Sequence, residues 1–141
     1  MEVIDRQQAL LTNYEALVVL TEDDEQQQQQ QKQHHEKVPE NVTTLKFEAI
    51  TYLKEMPCAS QTPEQIAKLK TELAAYELTT AEILQIIDLR PKSLVELFVI
   101  VEEIGERYTE EEMEQMVAII REILVCNEPQ ENDSMEVDGT D

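Results

Sequence analysis

The chain has 141 residues, enough for one folded domain with appendages, and its 31 acidic and 11 basic side chains give a formal net charge of −20. This negative field opposes contact with phosphate backbones and anionic lipid heads, so we do not expect the chain alone to bind DNA nonspecifically. With two glycines and no tryptophan, the composition favours helices, and we predict an all-α protein. No secretory leader or bilayer-spanning apolar run is predicted, which favours a soluble intracellular protein.

The first residues predict a strand that has no partner strand in this chain. Val3 and Ile4 are β-branched, so this segment would form a strand only by joining the sheet of another protein. A frayed terminus is the alternative interpretation.

A short helix is predicted from Thr12 to Leu20, with Thr12 as cap and Glu15 completing a capping box. Its apolar residues surround most of the helix, more than one face of a small bundle can hide. We therefore predict a partner-docking segment over residues 1–21, and the alternative is a helix buried within its own domain. The predicted partner-binding residues are Val3, Ile4, Leu10, Leu11, Tyr14, Leu17 and Val18.

Residues 22–40 are predicted to form a disordered linker, because this acidic, glutamine-rich tract buries too little to offset its ordering entropy. The glutamine run itself could instead extend a helix. His34 and His35 are adjacent and poorly arranged for a closed metal site, so we predict that they are solvated. Cys58 and Cys126 lack zinc-ligand spacing and are predicted to pack or fill a loop. Accordingly, no metal and no cofactor are expected.

A helical bundle domain is predicted over residues 41–126. Its first helix, Asn41 to Met56, ends at Pro57, and the next starts at Thr62, followed by proline at the first helical position, and runs to about Tyr76. The apolar faces predicted for these two helices are Leu45, Ala49, Tyr52, Leu53 and Met56 in the first, and Ile66, Leu69 and Leu73 in the second.

The stretch from Leu78 to Leu124 is predicted to form three more helices, giving five in the bundle. Each begins with a hydroxyl residue followed three positions later by glutamate, which is the pattern of a capping box. Pro91 separates the first two helices, and Gly105 is predicted to end the second in a left-handed conformation. Residues 127–141 form an acidic tail without bases, which is predicted to be disordered. The predicted cap pairs are Thr79 with Glu82, Ser93 with Glu96, and Thr109 with Glu112.

A motif in this stretch resembles that of the smaller stalk subunits of eukaryotic RNA polymerases. It comprises Leu89-Arg90-Pro91-Lys92-Ser93, then Val95-Glu96-Leu97, with Val101-Glu102-Glu103, Glu106-Arg107 and Thr109-Glu110-Glu111 further on. The N-terminal residues Met1-Glu2-Val3, Ala9-Leu10-Leu11 and Asn13-Tyr14-Glu15 are similar to the RNA polymerase III branch of the family.

This resemblance implies a helical domain related to one found at the ends of some helicases and ribonucleases, and an N-terminal segment that docks on the larger stalk subunit. The implied function is that of a non-catalytic subunit of nuclear RNA polymerase III that supports initiation on small non-coding RNA genes. The implied partners are the larger stalk subunit, the polymerase core and initiation factors. Bases are scarce here, so the nucleic-acid binding of the related helicase domain is not transferred.

Arg90 has two interpretations, a structural clamp on helix-terminal carbonyls or part of a loop presented to another protein. The acids of residues 102–112 are interpreted as a solvated face, and no enzyme activity is predicted. An intracellular adaptor coupling a peptide-hormone receptor to its signalling machinery is the alternative function. It is suggested by another name of the branch, calcitonin gene-related peptide receptor component protein.

Overall fold

The computed structural model describes residues 9–31 and 39–125, and in these ranges the ordered elements are all helical. The predicted all-α helical bundle is confirmed. Val3, Ile4, His34, His35, Cys126 and the acidic tail lie outside the described residues. The α-helices are α1 (Asn13–Gln31), α2 (Glu40–Glu55), α3 (Pro63–Leu73), α4 (Thr80–Leu89), α5 (Leu94–Ile100), α6 (Ile104–Arg107) and α7 (Glu110–Ile123), with 3₁₀ turns at Pro57–Ser60 and Ala74–Tyr76.

The helices begin where side chains satisfy their open backbone N–H groups. Thr62, Thr79 and Thr109 each form a complete capping box, in which the hydroxyl accepts from the third helical residue and that residue's side chain accepts in return. Ser93 accepts from the Glu96 N–H, whereas the Glu96 carboxylate accepts from the Lys92 N–H at 2.6 Å. The helix starts predicted at these four residues are therefore confirmed. At Ser93 the Glu96 carboxylate bonds to the N–H of the residue before the cap, and not to that of the cap itself.

The end of α5 differs from the prediction. Val101 is extended, and Glu103 rather than Gly105 adopts the left-handed conformation, with φ 50°. Gly105 lies inside α6, where a Cβ would come within 3.4 Å of the Phe98 ring. The glycine thus allows Phe98 to lie close to the α6 backbone, and the prediction that it ends the helix was wrong.

The main core lies among α3 to α7. The predicted stripe on α3 is confirmed, since Leu69 and Leu73 are fully buried and Ile66 packs against the core. No residue of α2 belongs to this buried cluster. Its members are Leu69, Leu73, Ile86, Ile87, Leu97, Val101, Ile104, Met113, Met116, Val117, Ile120, Ile123 and Leu124.

Helices α1 and α2 pack against each other, and both contact the 3₁₀ turn at Pro57–Ser60. Lys46 of α2 forms an ion pair with Asp23 of α1. The helix α1 continues to Gln31, so residues 22–31 differ from the predicted disordered linker. Glutamine is a good helix former, and the ion pair of Asp23 with Lys46 joins this part of α1 to α2. This helix pair spans the predicted domain boundary at residue 41.

A second polar contact joins the α3–α4 connection to α6. The Arg107 guanidinium donates to Glu82 at 2.6 Å and to the Glu77 carbonyl at 3.3 Å, and the Tyr108 hydroxyl donates to the Tyr76 carbonyl. Burial opposes ionisation of Glu82, but hydrogen bonds from Arg107 and Thr79 outweigh it and hold the pKa of Glu82 below its ordinary value. Ionised Glu82 therefore stabilises the fold at pH values above the unfolded-state pKa of glutamate. This stabilisation is lost as the pH falls through the lower folded-state pKa of Glu82.

Candidate partner-docking surface

Large apolar side chains remain uncovered on the helix pair α1 and α2. Leu45 and Tyr52 are 68 % and 60 % exposed and lie seven residues apart, on the same side of α2. Isolated exposed apolar residues are ordinary, but a group of this size on neighbouring elements is typical of a protein–protein contact. We call this group the hairpin surface. Its members are Leu10, Leu11, Val19, Val42, Leu45 and Tyr52, whereas Phe47, two residues after Leu45, is exposed on the other side of α2.

The structure places the predicted partner-binding residues in two groups. Leu10 and Leu11, just before α1, are exposed, whereas Tyr14, Leu17 and Val18 on α1 are half-buried. None of these five side chains is fully buried within the chain. Their role in partner binding stays a prediction.

The α2 part of the hairpin surface was not predicted. Leu45 and Tyr52 follow a helical period, which we interpreted as one apolar face of the bundle. Of that face, only Leu53 is buried. Periodicity shows that a helix face is apolar, not which protein covers it. Val19 was missed because it lies off the predicted faces.

Two hydrogen bonds join the carboxyl end of α4 to α1 and to the connection between α2 and α3. The backbone N–H of Asn13, the first residue of α1, donates to the Asp88 carboxylate at 2.8 Å. The buried Gln61 amide donates to the Ile87 carbonyl at 2.7 Å. These bonds fix the orientation of the hairpin surface relative to the core, so the surface is presented by a positioned scaffold.

Burial raises the pKa of Asp88, and the nearby Glu15 raises it further, against the opposing effect of the Asn13 N–H. Asp88 also lies in the last turn of α4, where the helix dipole disfavours a negative charge.

Replacing Asp88 by asparagine should stabilise the protein at pH 7, because Asn keeps the oxygen that accepts from Asn13 without carrying a charge. The neutral form of Asp88 stabilises the fold below the unfolded-state pKa of about 3.9, and this stabilisation is lost as the pH rises through the higher folded-state pKa. The gain in melting temperature of Asp88→Asn should therefore grow from acidic to neutral pH. A gain independent of pH would contradict this account.

The motif residues divide into buried and exposed positions. Arg90 adopts the left-handed conformation, with φ 47°, and its Nε donates to the carbonyl of Leu124 at the end of α7. Pro91 and Leu97 are fully buried. The geometry favours the structural clamp, since Arg90 satisfies a helix-terminal carbonyl. The exposed motif residues are Leu89, Val95 and Glu96.

Replacing Arg90 by alanine should lower the free energy of unfolding by about 1.5–3 kcal/mol, the usual contribution of a hydrogen bond to a charged group. Arg90→Gly should cost less, because glycine adopts a positive φ without strain. Urea denaturation of both variants measures this order. A fully stable Arg90→Ala variant that no longer assembles with a partner would instead identify Arg90 as a contact residue.

Residues 9–31 and 39–125 contain no group of three or more His, Cys, Asp or Glu side chains arranged to hold a metal ion. Cys58 is a buried free thiol that donates to the Leu53 carbonyl at 3.1 Å. None of the helices in the described part of the chain has the length and apolar character needed to cross a bilayer.

A helical core with an uncovered apolar surface is typical of proteins that bind other proteins. The chain belongs to the RNA polymerase Rpb4 family, whose model matches residues 10–124. It is 34 % identical over 121 residues to the DNA-directed RNA polymerase III subunit rpc9 of Schizosaccharomyces pombe, a match that covers 83 % of this chain and 94 % of that protein. It is also 42 % identical over 57 residues to the DNA-directed RNA polymerase III subunit RPC9 of Saccharomyces cerevisiae, covering 40 % of this chain and 35 % of that protein.

Proposed function

We propose that the chain is the smaller, non-catalytic subunit of the stalk of RNA polymerase III. The observation that carries this proposal is the 34 % identity to the Schizosaccharomyces pombe subunit, which extends over 94 % of that protein. Nothing in the fold or in the names of these two relatives favours the receptor-adaptor alternative.

The proposed partner is the larger stalk subunit, which would cover the hairpin surface. In water, this surface leaves aromatic and aliphatic side chains hydrated on two adjacent helices, and their burial against a partner is favourable by about 25 cal/mol per Å². Tyr52 is exposed and aromatic, the kind of side chain that often contributes most to binding. The N-terminal segment of this chain, which contains Val3 and Ile4, is proposed to bind the same partner.

The proposed role is to support transcription initiation in the nucleus by linking the polymerase core to initiation factors. Catalysis and nucleic-acid contacts would belong to other subunits, because this chain has a net charge of −20. The acidic surface instead suits contacts with basic protein segments.

Coexpression of the full-length chain with the larger stalk subunit, followed by native mass measurement, tests this proposal. We expect a stable one-to-one complex, and we expect the chain expressed alone to self-associate through its uncovered apolar surface. The larger stalk subunit of RNA polymerase II serves as the control partner. A monomeric chain that fails to bind its proposed partner, or binds both partners equally well, would contradict the proposal.

A further inference from the structure

A second apolar surface lies where α4 ends and α5 follows. Leu89, Pro91, Glu96, Val99 and Ile100 line a groove of about 250 Å³. Val99 is 84 % exposed although it is aliphatic. This groove shares no residue with the hairpin surface.

The apolar character continues along the outer side of α5. Val95, Phe98 and Val99 lie three and four residues apart, so they share one side of the helix, and all three are exposed. Leu97, and Val101 four residues later, are buried in the core instead. The short helix therefore has an apolar inner face, which folds the domain, and an apolar outer face, which folding leaves uncovered.

The size of the groove indicates what it can hold. Pockets for small molecules usually enclose about 300–1,000 Å³, more than this groove offers. A single bulky side chain of a peptide needs less space, and such an anchor in an apolar pocket commonly dominates binding. The groove thus fits one aliphatic or aromatic anchor, with neighbouring apolar residues of the same peptide lying on Val95 and Phe98.

The charges near the groove indicate the rest of the ligand. Near the groove, the cations Arg90 and Lys92 stand on either side of Pro91. The acids are Glu96, which lines the groove, and Glu102 and Glu103, which are exposed directly after α5, and the chain as a whole is strongly acidic. The chain's own tail, residues 127–141, contains acids but no bases, so this field repels it, and a second copy of the chain carries the same net charge of −20. A positively charged segment is attracted by the same field.

We propose that this groove binds a cationic linear segment of another protein, with one bulky apolar side chain seated between Leu89 and Val99. Flanking lysines or arginines of the segment face Glu96 and the acids that follow α5. This interaction is separate from docking on the hairpin surface, so both partners can be bound at once.

Fluorescence anisotropy with the full-length chain and three labelled peptides tests the proposal. The first peptide carries leucines at helical spacing flanked by lysines, the second has every lysine replaced by glutamate, and the third has every leucine replaced by serine. We expect only the first to bind, with an affinity that falls as salt is raised.

Val99→Glu should weaken binding of the first peptide by about tenfold or more, because it places a carboxylate in the apolar contact. Ala67→Glu, at an exposed position of α3, adds the same charge away from the groove and should leave binding unchanged. General attraction to an acidic surface would be unchanged or strengthened by Val99→Glu. That result, binding of the serine peptide, or no binding of the first peptide would overturn the proposal.

Discussion

The double substitution Leu45→Glu and Tyr52→Glu is expected to abolish assembly with the larger stalk subunit while the chain stays folded. Both side chains are mostly exposed in the chain alone, so their replacement costs little folding free energy. In the complex, two carboxylates would be buried without partners, which is strongly unfavourable. Loss of one central contact weakens binding by about 2 kcal/mol or more, roughly 30-fold, and two such losses should prevent co-purification.

The control for this variant is Val99→Glu, which places a carboxylate on a still more exposed apolar position, on α5. It should assemble normally with the larger subunit, whereas the double variant should still bind the cationic peptide. Circular dichroism of both variants checks that they are folded. Normal assembly of the double variant would remove α2 from the proposed contact.

Replacement of Leu97 by alanine is expected to lower the free energy of unfolding by about 2–5 kcal/mol. Leu97 is fully buried in the core formed by α3 to α7, so its removal leaves a cavity among well-packed side chains. The corresponding fall in melting temperature is roughly 10 °C or more for a domain of this size.

Val95→Ala is the control on the same helix, two residues away. Val95 is 75 % exposed, so its truncation should change the free energy of unfolding by less than about 0.5 kcal/mol. Equal destabilisation by both substitutions would contradict the assignment of the inner and outer faces of α5.

Local chemistry made the helix starts of the bundle predictable from the sequence. A hydroxyl followed three residues later by a carboxylate or amide satisfies the same backbone groups wherever it occurs, and Thr62, Thr79 and Thr109 therefore cap as predicted. Pro91 likewise separates α4 from α5 for a local reason. The stripe on α3 was predictable because its apolar residues have a single helical period.

Features that depend on contacts distant in sequence were not predictable. The helix α1 extends to Gln31 alongside α2, and nothing local to the glutamine run indicates that support. Glu103 rather than Gly105 turns the chain after α5, and Gly105 lies inside α6 beside the Phe98 ring. The exposure of Leu45 and Tyr52 also depends on which protein covers α2, which a helical period alone does not specify.

Hydrogen–deuterium exchange of the chain, alone and with the larger stalk subunit, tests most directly whether the hairpin surface is the site of docking. The account predicts that the partner slows amide exchange in α1 and α2 by an order of magnitude or more, while α3 and α7 change little. Unchanged exchange in α1 and α2 within a stable complex, with protection appearing on other helices, would contradict it.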